Sequence, residues 1–78
     1  MNKSYCKGVE KYNSGDYQGA IAEFDNEIKH FARFTDPYVY RGQAKYRLGD
    51  RDGALEDWLK AVELGNDYVH KLIEKHFG

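Results

Sequence analysis

The chain has 78 residues and a formal net charge of -1 from 12 basic and 13 acidic side chains, which is the length of one compact domain. Its basic residues form no block that would neutralise phosphates or lie on anionic lipid, so we expect neither nucleic acid nor a membrane surface as a partner. Cys6 is the only cysteine, and neither a signal-peptide pattern nor the ~18 consecutive apolar residues of a membrane span is present, so we expect a cytoplasmic protein.

The first two predicted helices meet at Gly15 and Asp16. Glycine readily takes the left-handed conformation that ends a helix, and aspartate caps the start of the next one. Gly8 lies inside the first helix, where glycine costs about 0.5–1 kcal/mol relative to alanine, so we expect the second helix to pack closely there. The apolar stripe of the second helix consists of Ala20, Ile21, Phe24 and Ile28.

A second pair of helices is predicted after the aromatic segment 31–35. Asp36 is expected to cap the third helix, and Pro37 suits its first turn because a first-turn N–H has no helical partner. This helix is predicted to run to about Leu48, and Gly49 and Asp50 then repeat the turn. The apolar positions of the fourth helix are Ala54, Leu55, Trp58, Ala61 and Val62.

A fifth helix is predicted after Gly65, from about Asp67 to Phe77. Its apolar side consists of Val69, Leu72, Ile73 and Phe77. We expect this helix to cover the apolar surface that Leu55 and Trp58 leave on the fourth helix.

The sequence repeats itself at a shift of 34 residues. Residues 5–28 align with residues 39–62 without a gap, and the recurring glycines, turn and apolar stripe predict a duplicated helical hairpin. The identical pairs are Gly8/Gly42, Lys11/Lys45, Tyr12/Tyr46, Gly15/Gly49, Asp16/Asp50, Gly19/Gly53 and Ala20/Ala54.

This period, with its Gly…Gly-Asp…Ala…aromatic spacing, resembles the tetratricopeptide repeat. The second repeat is the closer match, and it carries Tyr38, Gly42, Gly49, Asp50, Ala54, Trp58 and Ala61. The resemblance implies an all-α fold, a right-handed superhelix of about five helices. It divides a single domain, residues 1–78, into repeat 1 (about 2–34), repeat 2 (about 36–65) and a capping helix (about 67–77). Asn66 and the aromatic segment 31–35 depart from the family pattern.

The resemblance also implies a function, that of a non-catalytic adaptor or scaffold that binds a peptide segment of a partner protein in a concave groove, without a cofactor. The positions that it assigns to this groove are Tyr5, Val9, Tyr12, Asn13, Val39, Gln43, Tyr46, Arg47, Ile73 and Phe77. One subset of the family grips chaperone carboxylates with basic and amide side chains. At the corresponding positions of this chain, only Gln43 resembles those side chains in polarity. The other four positions carry Tyr5, Val9, Ile73 and Phe77. The resemblance therefore implies no chaperone carboxylate clamp.

Two alternatives remain open from the residues alone. The first is that groove positions such as Val9, Val39 and Ile73 fill the seam between helices, and that Tyr12 and Tyr46 recur because each repeat needs them for packing. The second is self-association, in which exposed apolar faces form a homodimer or higher oligomer. We expect neither an enzyme nor a metal site. The three histidines, His30, His70 and His76, have helical spacings that do not bring their side chains together.

Overall fold

The computed structural model describes residues 3–77, with side chains from residue 7 to residue 77. These residues form five helices: α1 Lys3–Asn13, α2 Tyr17–His30, α3 Asp36–Arg47, α4 Arg51–Glu63 and α5 Val69–Phe77. Each helix packs against the next one in the chain, and α1 also contacts α3. The chain therefore has the all-α helical-repeat fold that the 34-residue period predicts.

The two hairpin turns have the same geometry. Gly15 and Gly49 both have φ +91°, a left-handed conformation that favours glycine. The next residue caps the following helix in each case: Asp16 Oδ1 accepts a hydrogen bond from Gly19 N at 3.0 Å, and Asp50 Oδ1 accepts one from Gly53 N at 2.9 Å. The predicted turns and caps are thus confirmed in both repeats.

The glycines inside α1 and α3 allow an aromatic ring to lie directly against the helix backbone. A Cβ atom at Gly8 would be 2.6 Å from Phe24 Cε1, and one at Gly42 would be 2.5 Å from Trp58 Nε1. Phe24 is 0% exposed and Trp58 is 1% exposed, so both rings are fully enclosed. Close packing at these glycines is confirmed, and the residue that fills the space is the recurring aromatic of the second helix in each repeat.

Two helix starts differ from the sequence prediction. Asp36 is the first residue of α3 rather than its cap, and Thr35 occupies the capping position without a side-chain bond to the helix. The Thr35 hydroxyl instead accepts a hydrogen bond from Asn66 Nδ2 at 3.0 Å, which joins the two inter-repeat loops. Helix α5 begins at Val69 because Asp67 and Tyr68 form a tighter turn, in which their carbonyls accept from the N–H three residues later.

The core of the second repeat extends onto α5. Its buried cluster consists of Tyr38, Val39, Trp58, Ala61 and Val69. Leu72, Ile73 and Phe77 of α5 pack against this cluster, and the Phe77 ring centroid lies 5.8 Å from that of Trp58. Helix α5 therefore covers Trp58, as the sequence predicts.

Candidate functional site

A concave surface that contains several predicted groove residues lies between α3 and α5. Its cavity volume is about 580 Å³, which is within the size range of ligand sites in proteins. We call it the α3–α5 cleft. Its lining residues are Tyr12, Gln43, Tyr46, Arg47, Trp58, Leu72, Lys75 and His76.

Four of the ten predicted groove residues lie together in this cleft: Tyr12, Gln43, Tyr46 and Arg47. They lie near the C-terminal ends of α1 and α3, close to the glycines that follow these helices. Tyr12 and Tyr46 are both half-buried, so each has one side in the packing and one side toward the cleft. The two roles that the sequence leaves open for these tyrosines are therefore compatible.

Five of the other six predicted groove residues do not line the cleft. Val39 is 8% exposed and belongs to the buried cluster, and Ile73 and Phe77 pack against that cluster. Asn13 is exposed at the end of α1, and Val9 is half-buried one turn earlier. The side chain of Tyr5 lies outside the described residues.

A hydrogen-bonded relay fixes the polar end of the cleft. The Tyr12 hydroxyl donates to Gln43 Oε1 at 3.1 Å, which links α1 to α3. The guanidinium of Arg47, one helical turn after Gln43, also hydrogen-bonds to Tyr12, and this bond raises the pKa of Arg47 above its ordinary value. Arg47 is exposed and positively charged, and it lines the cleft beside Tyr12 and Gln43.

Aromatic rings form the base of the cleft. The His76 ring lies 4.6 Å from that of Tyr46 and 5.6 Å from that of Trp58, between centroids. Trp58 is fixed because its Nε1 donates to the Val39 carbonyl at 3.1 Å. Arg51 Nη2 donates to the His76 carbonyl at 3.1 Å and so holds the end of α5 in place. The base is therefore a surface of tilted aromatic rings that contact one another.

Four cleft residues are missing from the sequence-based groove: Trp58, Leu72, Lys75 and His76. Trp58 was assigned to packing, which its 1% exposure confirms, but one face of its ring also closes the cleft. Leu72 belongs to the predicted apolar stripe of α5, and Lys75 and His76 lie on the neighbouring flank of that stripe. Their spacing, i, i+3 and i+4, is the signal that could have identified them as one helix face.

A second polar cluster lies away from the cleft and joins the two repeats. Arg41 Nε and Nη2 donate to the two carboxylate oxygens of Asp57 at 2.9 and 2.6 Å, and Arg41 Nη1 donates to Asp25 at 2.7 Å. Lys45 Nζ lies 3.2 Å from Asp57 Oδ2. These carboxylates raise the pKa of Arg41, with the Asp57 hydrogen bonds as the largest cause. This cluster joins α2, α3 and α4.

Repeat 1 contains a simpler form of this ion pair. Lys11 Nζ lies 2.9 Å from Glu23 Oε2, and the two residues precede Lys45 and Asp57 by 34 positions. The recurrence of a basic and an acidic residue twelve positions apart was visible in the repeat alignment. It could have predicted both pairs, whereas the contribution of Arg41 depends on the tertiary structure.

Within residues 3–77 no helix combines the length and the hydrophobicity needed to cross a membrane. Among the side chains that the structure describes, no group of three or more histidine, cysteine, aspartate or glutamate residues could hold a metal ion.

Comparison with known proteins gives several relatives of the same kind. The chain is 37% identical to tetratricopeptide repeat protein 36 of Danio rerio over 60 residues, which is 77% of this chain and 32% of that protein. It is 36% identical to the Nematostella vectensis homologue of that protein over 62 residues, 80% of this chain and 34% of the relative. A tetratricopeptide repeat-containing protein of Methanocaldococcus jannaschii is 34% identical over 68 residues, 85% of this chain and 12% of that protein. No family model matches the chain. The chain thus spans about a third of the length of the first two relatives.

Proposed function

This chain belongs to the tetratricopeptide repeat family, whose members are protein–protein interaction modules, and we propose that it binds a peptide segment of a partner protein in the α3–α5 cleft. In this proposal the chain is a non-catalytic adaptor. The partner supplies a short segment, and the cleft supplies a preformed surface.

The observation that carries the proposal is the combination of a cavity of about 580 Å³ with fixed polar and aromatic walls. Tyrosine offers a large contact area and a hydroxyl at low entropic cost, and so it is frequent at energetically important interface positions. Tyr12 is held by Gln43, and the neighbouring Tyr46 is held by ring contacts with Trp58 and His76. A peptide would therefore meet walls that lose little conformational freedom on binding.

Selection from a library of random 12-residue peptides displayed on phage tests this proposal. We expect enriched peptides that bind the wild-type chain and lose at least ~10-fold in affinity to the double variant Gln43→Ala and Tyr46→Ala. The matched control is Gln18→Ala with Tyr68→Ala, because both residues are exposed and lie outside the cleft. Enriched peptides that bind wild type and the cleft variant equally would place binding on another surface.

Self-association is the second candidate function, and one observation favours it. The rings of Phe31 and Phe34 stack on each other with centroids 5.4 Å apart, yet they are 45% and 54% exposed. An exposed apolar patch of this kind is a frequent feature of interaction surfaces. In this alternative the loop between α2 and α3 contacts a second copy of the chain, and the cleft is free for other uses.

A further inference from the structure

We infer that the α3–α5 cleft selects acidic peptide segments, with a carboxylate held by Arg47 and Lys75 and a neighbouring aromatic or aliphatic side chain on the aromatic base. This inference rests on the proposed function, since it specifies the chemistry of the segment that the cleft binds.

The walls of the cleft are positively charged. Among the eight lining residues, Arg47 and Lys75 are cations and no residue is acidic. The chain as a whole has 13 acidic and 12 basic side chains, so an acid-free surface with two cations departs from its average composition. A concave site that carries one sign of charge concentrates the field and attracts segments of the opposite sign.

Arg47 and Lys75 have no acidic partner among the described residues. The ion pairs of the structure use Lys11, Arg41, Lys45 and Lys60 as their cations. Arg47 has Tyr12 as its hydrogen-bonding partner, and this interaction leaves its charge uncompensated. Arg47 and Lys75 therefore remain available to a carboxylate from outside the chain.

The aromatic base of the cleft lies beside the two cations. Leu72 and Lys75 lie one turn apart on α5, and Tyr46 and Arg47 are adjacent on α3. A ligand carboxylate bound at the two cations thus has the rings of Tyr46, Trp58 and His76 beside it. This arrangement fits a segment in which an acidic residue stands next to an aromatic or aliphatic one.

The cation pair differs from the carboxylate clamp of one subset of the family. The clamp positions carry Val9, Gln43, Ile73 and Phe77, together with Tyr5, and none of them is basic. Arg47 and Lys75 occupy other positions, on the last turn of α3 and near the end of α5. The specificity is therefore read from this structure and not from the family's clamp pattern.

Three synthetic 12-residue peptides test the inference. They share the same tryptophan and leucine positions and differ only at four sites, which are glutamate in the first, glutamine in the second and lysine in the third. Fluorescence anisotropy at low salt measures each peptide against wild type, against Arg47→Gln with Lys75→Gln, and against the control Lys29→Gln with Arg33→Gln. Both control residues are exposed cations outside the cleft, so the two double variants have the same net charge.

We expect the glutamate peptide to bind wild type about 10-fold more tightly than the glutamine peptide, since two partly exposed ion pairs contribute a factor of roughly 3 to 5 each. The cleft variant should lose this preference, and the control should retain it. Salt should weaken the glutamate peptide selectively, because screening acts on the ion pairs.

Equal binding of the glutamate and glutamine peptides would overturn the inference but leave the proposed function standing. So would loss of the preference in the control variant, which would indicate a diffuse charge effect. No binding of any peptide at ~1 mM also overturns the inference, and the random library then decides independently whether the cleft binds peptides at all.

Discussion

Arg41 and Asp57 form a two-bond pair that fixes α3 against α4. Arg41 Nη2 and Nε donate to separate oxygens of the Asp57 carboxylate at 2.6 and 2.9 Å, and Asp57 is 4% exposed. The third guanidinium nitrogen reaches Asp25 on α2. One side chain of the second repeat therefore contacts both repeats, and it joins α3 to α2 and to α4.

Replacement of Asp57 by asparagine should lower the free energy of unfolding by about 2–4 kcal/mol, because the change leaves two partly buried cations, Arg41 and Lys45, without their shared carboxylate. Urea unfolding followed by circular dichroism measures the effect. The control is Glu23→Gln in repeat 1, where the pair with Lys11 is more exposed and the expected loss is much smaller. Equal losses for the two variants would contradict a special role for the Arg41 pair.

Replacement of Gly42 by alanine should destabilise the fold by about 1–3 kcal/mol, the usual cost of overpacking a core. The new Cβ would lie 2.5 Å from Trp58 Nε1 and 3.2 Å from the Ala54 carbonyl oxygen. Trp58 cannot move away easily, since its Nε1 is bonded to Val39. At an ordinary helical site the same change stabilises by about 0.5–1 kcal/mol. Thermal unfolding shows whether the substitution lowers or raises the stability. A raised melting temperature would show that the contact between residue 42 and Trp58 is looser than described.

Replacement of Tyr12 by phenylalanine should weaken binding of a cleft-binding peptide about 3- to 10-fold and leave helix content unchanged. The change removes the hydroxyl that bonds Gln43 and Arg47, so two polar side chains of the cleft wall lose a partner. Fluorescence anisotropy with a library-selected peptide measures the affinity. Tyr68→Phe, at an exposed position outside the cleft, is the control. Unchanged affinity in Tyr12→Phe would remove the relay from the binding mechanism.

Light scattering over a ~100-fold concentration range should give a monomer mass of 9.1 kDa if peptide binding rather than self-association is the function. Replacement of Phe31 and Phe34 by serine should then leave both the mass and the stability nearly unchanged, within about 0.5 kcal/mol for exposed positions. A concentration-dependent dimer that the double substitution abolishes would instead establish self-association through the loop between α2 and α3.

Local chemistry explains why so much of the fold could be predicted. The turns at Gly15 and Gly49 and the caps at Asp16 and Asp50 depend on residues no more than five positions away. The cap of α3 was predicted incorrectly for the opposite reason. Thr35 precedes that helix with its hydroxyl bound to Asn66, which is 31 residues away in the chain. No local pattern contains this bond.

The sequence by itself determined the helices, their order, the two turns and the close helix packing at Gly8 and Gly42, because each of these local patterns occurs twice in the 34-residue repeat. The tertiary structure alone decided which residues share the cleft. Ile73 and Phe77 turn to the core while Lys75 and His76 face the cleft. Successive helical residues point about 100° apart, so the rotation of α5 about its axis selects one set or the other. Packing against Trp58 and the bond from Arg51 to the end of α5 set that rotation.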